Sequence, residues 1–281
     1  YRPASYVKMS AALDAEGWPV AFTSDIACPP FPNVNAQGIS TTAVDGFEQV
    51  QYAIPNIQVD YHRSDTHVPV SFWRSVGWSQ NGFFLESFVD EMAAASGKDP
   101  LEFRRSLMQK HPKHLAVLNA VAAKAGWDKP AAPGVFRGLA QTMGFGSYVA
   151  ACAEVSVSKN GDLKIHRIVA ATDPGYAVNP DNIQAQLQGS VVHGLTAIFW
   201  GEMTVKDGRI EQSNFHDYRM MRMNEMPKVE TVIAPTGGFW GGVGEPTICV
   251  VAPAILNAIS AARGGKPVRM LPLKNEGLRL V

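Results

Sequence analysis

Cysteine is scarce in this chain. The three present, Cys28, Cys152 and Cys249, share no C-x-x-C or other ligand spacing. An iron–sulfur cluster or structural zinc held by this chain alone therefore has no ligand set. Each cysteine sits among apolar neighbours, the usual setting of a buried free thiol. Net charge is also missing. Twenty-five Lys and Arg balance 25 Asp and Glu with no basic run, which removes the electrostatic footprint of a nucleic-acid binder. No apolar stretch reaches the roughly 20 residues of a membrane span, and the longest candidate, Ile248 to Ile259, is interrupted by Pro253. No G-x-G-x-x-G follows a strand pattern, and no Walker sequence or G-x-S-x-G elbow occurs. Nicotinamide binding, ATP binding and serine-type hydrolysis thus lack their motifs.

What is present is core-forming residue. Hydrophobic side chains make up 46% of 281 residues, ample for a buried core and for two modest lobes, 1–135 and 136–281. Alternating runs at Tyr6–Leu13 and Pro19–Ile26 around Asp14-Ala15-Glu16-Gly17 predict a hairpin. Residues 28–47, rich in Pro and Gly without a sustained period, read as an irregular surface connection. Ala53 to Tyr61 reads as extended, and His62, Asp65 and His67 as a polar loop rather than a metal site. A helix with Phe84, Phe88 and Met92 on its apolar face, joined by Leu85, follows and stops at Gly97. Asp99-Pro100 starts a second helix, and Lys113 to Ala125 forms a third, closed by Gly126. Arg137 to Ala150, glycine-bearing and uncharged after its first residue, leads into a strand, and Asn160-Gly161 predicts a hairpin between Cys152–Ser158 and Leu163–Ala171. Asn179-Pro180 caps a helix reaching about Phe199, with Ile183, Leu187, Val191 and Leu195 as its stripe. A short hairpin around Asp207-Gly208 and a strand from Val229 to Ala234 complete the pattern before a final helix. In that helix Pro253 is either a kink or the true start.

The most distinctive stretch is Gly237-Gly238-Phe239-Trp240-Gly241-Gly242-Val243-Gly244-Glu245-Pro246: five glycines surround one carboxylate. Glycine is used where backbone approaches a ligand closely or takes positive φ, and Pro246 suits the first turn of a helix. Desolvation in such a pocket disfavours the charged carboxylate, which suits a general base. A solvated glutamate on a glycine-rich turn fits the composition equally well.

The run "GGVGEPTICVVAPAILNAISAARGGKPVRMLPL" resembles the carboxy-terminal signature of the xanthine oxidase family of molybdenum hydroxylases. It is closest to the beta subunits of isoquinoline 1-oxidoreductase and related bacterial aldehyde dehydrogenases. Two further blocks, "WRSVGWSQNGFFLESFVDEMAAASGKDPLEFRRSLM" and "DPGYAVNPDNIQAQLQGSVVHGL", resemble the same family. The resemblance implies an α+β fold in which β-hairpins pack against helices, a molybdenum-binding domain incomplete at its amino-terminus. It implies Glu245 as active-site base, Arg74, Gln186, Gly244 and Gly77 as cofactor contacts, and Trp73, Val76 and Phe145 around the substrate. Val76 stands where purine-oxidising members carry a stacking phenylalanine, which points to a differently shaped pocket. His193 reads as structural. The implied cofactor is molybdopterin cytosine dinucleotide, with 2Fe–2S clusters on a small partner subunit and a cytochrome c as a further acceptor. The upstream Gly-Gln-Gly and Gly-Gly-Gly-Phe-Gly segments of the family are absent, and the chain starts at Tyr1. A fragment or processed chain that works with an upstream portion is expected, with a periplasmic location as the family's lead. Two other readings stand beside this one: a non-catalytic assembly or interaction module, and a hydrolase built on Glu245 and His193, which lacks a nucleophile.

Overall fold

The structure is a computed structural model that describes all residues, Tyr1–Val281. The amino-terminal hairpin pairs β1 (Tyr6–Leu13) antiparallel with β2 (Pro19–Cys28). Asp14 closes its turn, Oδ1 accepting from the amides of Glu16 and Trp18 at 3.1 and 2.7 Å. A third strand, β3 (Asn56–Arg63), lies parallel to β2, so the chain must cross over between them. His62 falls on this strand rather than in a loop, its Nε2 3.2 Å from Asp25. The crossover is the expected surface connection only in part. Phe31, Ser40, Ala43 and Phe47 are inaccessible, because a parallel connection runs back over the sheet and its aromatic residues bury against it.

Three helices follow: α1 (Trp78–Ala95), α2 (Pro100–Leu107) and α3 (Pro112–Ala125). Asp99 caps α2 by accepting from Leu101 and Glu102, and Gly126 ends α3 at φ 68°, as their sequences predict. The expected stripe of α1 holds in part. Met92 and Leu85 are buried, joined by Val89, whereas Phe84 and Phe88 are half-buried. A helix packed on several sides carries apolar residues all round, so periodicity alone does not select its deepest face.

The central sheet contains β4 (Phe136–Gly144), β5 (Ser147–Val157) and β6 (Asp162–Asp173) as an antiparallel meander. After α4 (Pro180–Trp200) and the small hairpin of β7 (Val205–Lys206) and β8 (Arg209–Ile210), strand β9 (Lys228–Ile233) adds parallel to β6. The chain then forms α5 (Ile248–Ala262) and ends on β10 (Arg279–Leu280), which pairs with the start of β6. Strand β5 is buried on both faces. Ala150 and Cys152 join the core that contains α1, α2 and α3, while Val149, Ala151, Ala153 and Val155 join the core around α4 and α5. One sheet thus serves both cores, and it draws its residues from the carboxy-terminal half of the chain. The three thiols are buried and free; burial raises Cys28 and pushes Cys152 and Cys249 up to about 12.

Strand β4, read from sequence only as a glycine-bearing lead-in, is a full strand. Its Gly138 lets α5 lie directly on the backbone: a Cβ there would come within 2.3 Å of the Ala254 carbonyl oxygen. Pro253 sits inside α5 and has no N–H for the Cys249 carbonyl four residues back. That carbonyl faces Gly82 of α1, where a Cβ would come within 2.5 Å of it. The proline and the glycine together bring the two helices into backbone contact.

A buried polar network ties these layers. Arg104 on α2, fully inaccessible, donates to Glu86 Oε2 at 3.1 Å, to the Glu86 carbonyl at 3.0 Å and to Asp90 Oδ1 at 2.8 Å. Glu86 also accepts from Tyr52 OH at 2.6 Å and from the Gln141 amide at 2.9 Å. Burial opposes the charge on Arg104, but Glu86, Tyr52 and Asp90 outweigh it and raise the guanidinium above its ordinary value. Gln141 Nε2 donates to Tyr52 OH at 2.9 Å, so its Oε1 accepts and His114 Nδ1 donates to it at 2.5 Å. Burial pushes His114 down to about 4. Its stabilising effect is therefore complete above the ordinary histidine value near 6.5 and is lost as the pH falls toward 4, because the unfolded chain takes up the proton first. Acid titration of unfolding free energy should show a loss of up to about 3 kcal/mol over that window. The loss should be absent in His114→Asn; an unchanged profile would refute a neutral buried His114.

Candidate active site

The ends of β6 and β9 and the β4–β5 turn lie at one edge of the central sheet, and the glycine-rich segment crosses it. Asp173, fully buried at the end of β6, anchors the start of that crossing. Its Oδ1 accepts from the amides of Gly175 and Thr236 at 2.8 and 3.0 Å, and its Oδ2 accepts from Thr236 Oγ1 at 2.6 Å. Gly237 and Gly238 take φ of 71° and 82°, the left-handed region that glycine tolerates without cost. Further along, the Gly241 amide donates to the Pro174 carbonyl at 2.9 Å and the Gly242 amide to that of Phe145 at 2.8 Å. Ser147 Oγ donates to the Gly242 carbonyl at 2.6 Å. Phe145 and Gly146, both at positive φ, form the tight two-residue turn between β4 and β5. This turn is at once a hairpin closure and the support of the glycine segment.

The segment before α1 clamps the other side. Ser75 and Val76 both have positive φ, 75° and 48°. That is strained for any non-glycine residue and most of all for a β-branched one, on the order of 1–3 kcal/mol each. The strain is held by contacts: Ser75 Oγ donates to the Glu245 carbonyl, and the Val76 amide to the Trp73 carbonyl at 2.7 Å. Arg74 Nε donates to the Gly244 carbonyl at 2.5 Å, a contact its Nη2 shares, and Nη2 also donates to Gln186 Oε1 at 2.8 Å. No carboxylate lies within ion-pair distance of this guanidinium. Burial lowers it from its ordinary value, and the charge of Glu245 partly offsets that.

One face of α4 receives Arg74. Gln186, Gly189 and His193 fall on it at helical spacing, while Ile183, Leu187, Val191 and Leu195 face the core as predicted. A Cβ on Gly189 would stand 3.4 Å from Arg74 Nη1, so the missing side chain makes room for the guanidinium. The Trp73 ring lies between the Arg2 guanidinium, 4.5 Å from its centroid, and the His193 ring, 5.9 Å away. Burial, reinforced by the Arg74 charge, lowers His193 from its ordinary value.

Glu245 ends the glycine segment. Pro246 and Thr247 form a turn that runs into α5, with the Ile248 amide donating to the Glu245 carbonyl at 3.2 Å. Glu245 is half-buried, yet its Oε2 is fully covered and has no hydrogen-bond donor; Thr247 Oγ1 is covered and unpartnered too. Covered polar groups normally have a partner, so both atoms are open to a ligand or to water.

Two profiles described as molybdopterin cofactor-binding domain match the chain, over residues 1–108 and 89–227. The chain belongs to the xanthine oxidase family of molybdopterin-binding proteins. It is 31% identical over 229 residues to the isoquinoline 1-oxidoreductase subunit beta of Brevundimonas diminuta, covering 80% of this chain and 29% of that protein. The fold matches quinoline 2-oxidoreductase from Pseudomonas putida 86, with TM-score 0.77 and 11% identity over 92% of this chain and 59% of that one. It also matches the aldehyde oxidoreductase of Desulfovibrio gigas, with TM-score 0.70 and 16% identity over 96% and 48% of the two chains. The chain thus spans less than a third of the curated relative. The α+β architecture expected from the sequence is that of the molybdenum-binding domain in these hydroxylases.

Within this family fold, Glu245, Gly244, Arg74 and Gln186 converge directly, and Trp73 joins them through His193. Phe145 supports the glycine segment with its backbone, and its ring is 40% exposed. Val76 packs partly into the first core. Gly77 turns into the protein: a Cβ would meet the Thr42 carbonyl oxygen at 1.8 Å, so the 28–47 crossover accounts for its missing side chain. Ser75, Ser147, Asp173 and Thr247 were not singled out as site residues from sequence, and His193 entered only as structural or as part of the hydrolase reading. Only Asp173, beside Pro174-Gly175, carried a local signal, that of a turn.

Proposed function

We propose that this chain forms part of the cofactor and substrate pocket of a molybdenum hydroxylase that oxidises an N-heterocycle or an aldehyde with oxygen taken from water. The observation that carries this reading is the covered, unpartnered Oε2 of Glu245 beside the Arg74–Gln186 brace. The residues present fit a molybdopterin cofactor. Arg74 is a half-buried cation bonded only to carbonyl and amide oxygens, ready for an anion, and Gln186 offers an amide edge. When bound, that cofactor supplies the two-electron redox chemistry. Arg74 and Gln186 would hold it beside the face of α4 that carries Gly189. Glu245 Oε2 would take up the proton released in the reaction. The half-buried wall of Trp73 and His193 limits access of water.

We assign the cofactor to the cytosine dinucleotide form, the remaining contacts to an upstream portion of the protein, and electron exit to 2Fe–2S clusters on a partner subunit. The names of the relatives, an isoquinoline oxidoreductase subunit and an aldehyde oxidoreductase among them, support the substrate class. The test is elemental analysis of the complete protein from its host, wild type beside Arg74→Ala. About one molybdenum per chain in the wild type and a loss of at least about tenfold in the variant are expected, since a charge-assisted bond is worth roughly 1.5–3 kcal/mol. A wild-type protein free of molybdenum, with its upstream portion intact, would leave the assembly-module reading standing instead.

A further inference from the structure

A cleft of about 190 Å³ opens between the carboxy-terminal halves of α1 and α5, lined by Ser87, Asp90, Leu256, Asn257 and Val268 and remote from Glu245. It borders the buried network but is not filled by it. Asp90 gives only Oδ1 to Arg104, and its side chain remains 20% exposed, so Oδ2 has no protein donor. Asn257 spends both amide hydrogens on the carbonyls of Glu86 and Leu139, at 3.3 and 2.8 Å, which leaves Oδ1 without a donor. Ser87 is 8% exposed, and its hydroxyl is covered and bonded to nothing. The nearby cations are committed elsewhere. Lys98 and Glu91 also line the cleft, but Lys98 Nζ bonds the Glu16 carbonyl and lies over the Trp18 ring, while Glu91 pairs with Arg269.

The cleft therefore presents two acceptors, one of them a carboxylate oxygen, beside the apolar surface of Ala261 and Pro267. The volume lies below the roughly 300 Å³ of a drug-sized pocket, so an occupant has few heavy atoms. We propose that this cleft is a second small-molecule site, taking a short alkyl chain that ends in a primary ammonium or guanidinium. The head donates to Asp90 Oδ2 and Asn257 Oδ1, and the alkyl part lies against Ala261 and Pro267. The proposal does not depend on the role of Glu245.

Titration of the complete protein with n-propylammonium, methylguanidinium and 1-propanol, followed by calorimetry or by NMR, tests it. Saturable binding of a cation at about millimolar concentration is expected, at least about tenfold tighter than 1-propanol. Ser260→Leu and, separately, Ala94→Leu narrow the mouth without touching the polar network, and each should weaken binding by about the same factor. The proposal is overturned by equal binding of alcohol and cation, by affinity unchanged in both variants while circular dichroism shows them folded, or by no binding at about 10 mM.

Discussion

Glu245→Gln should lower turnover by roughly 10²–10⁴-fold while leaving molybdenum content at the wild-type level. Glutamine keeps the shape of the side chain, but its amide cannot take up a proton. The anchors of this loop do not use the carboxylate. The Gly244 carbonyl is held by Arg74, that of Glu245 by Ser75, and that of Gly242 by Ser147. The loop should therefore keep its course in the variant. The comparison calls for kcat and metal content on the complete enzyme, with an N-heterocycle or an aldehyde as substrate and an artificial electron acceptor. Activity within about threefold of wild type at equal metal content would remove Glu245 from the proton-transfer role. A parallel loss of metal and activity would instead make it a cofactor-positioning residue.

Glu86→Ala should destabilise the fold by about 3–5 kcal/mol, because it strands Arg104 as a buried charge and takes the acceptor from Tyr52 OH and the Gln141 amide. Arg104→Ala should cost a similar amount by stranding Glu86. The double replacement should cost less than the sum, by about 1–3 kcal/mol, since each single variant already forfeits the shared contact. Urea unfolding of the four proteins closes the cycle. Additive effects, or single costs below about 1 kcal/mol, would show that the pair is not coupled and that water or a rearranged side chain replaces either partner. A uniform change in m-value across the set would instead point to altered denatured states.

Local chemistry decided much of this fold and was readable from the sequence. The caps at Asp99 and Asn179, the stop at Gly126, the stripe of α4 and the Asp14–Gly17 and Asn160–Gly161 turns act over a few residues, so neighbouring letters suffice. The glycine segment and its carboxylate were legible for the same reason. What the sequence could not decide depends on residues far apart in the chain. Val89 joins the deepest face of α1 because the helix packs against more than one element. The β4 strand was hidden because Gly138 looks like a break until α5 is seen lying on it. The 28–47 crossover is buried because β3 pairs parallel to β2. Gly77 and Gly189 are both glycine for lack of space, but one faces Thr42 and the other Arg74, and no local pattern separates them. Sequence alone determined the punctuation of the elements, the glycine-walled glutamate and the family resemblance, because propensity, capping and turn geometry are short-range. Tertiary structure alone decided that Arg74, Gln186 and Glu245 meet, and that Ser75 is strained to hold them. The closest approach of those three joins segments more than 50 residues apart, which only packing of the helices against one edge of the central sheet brings together.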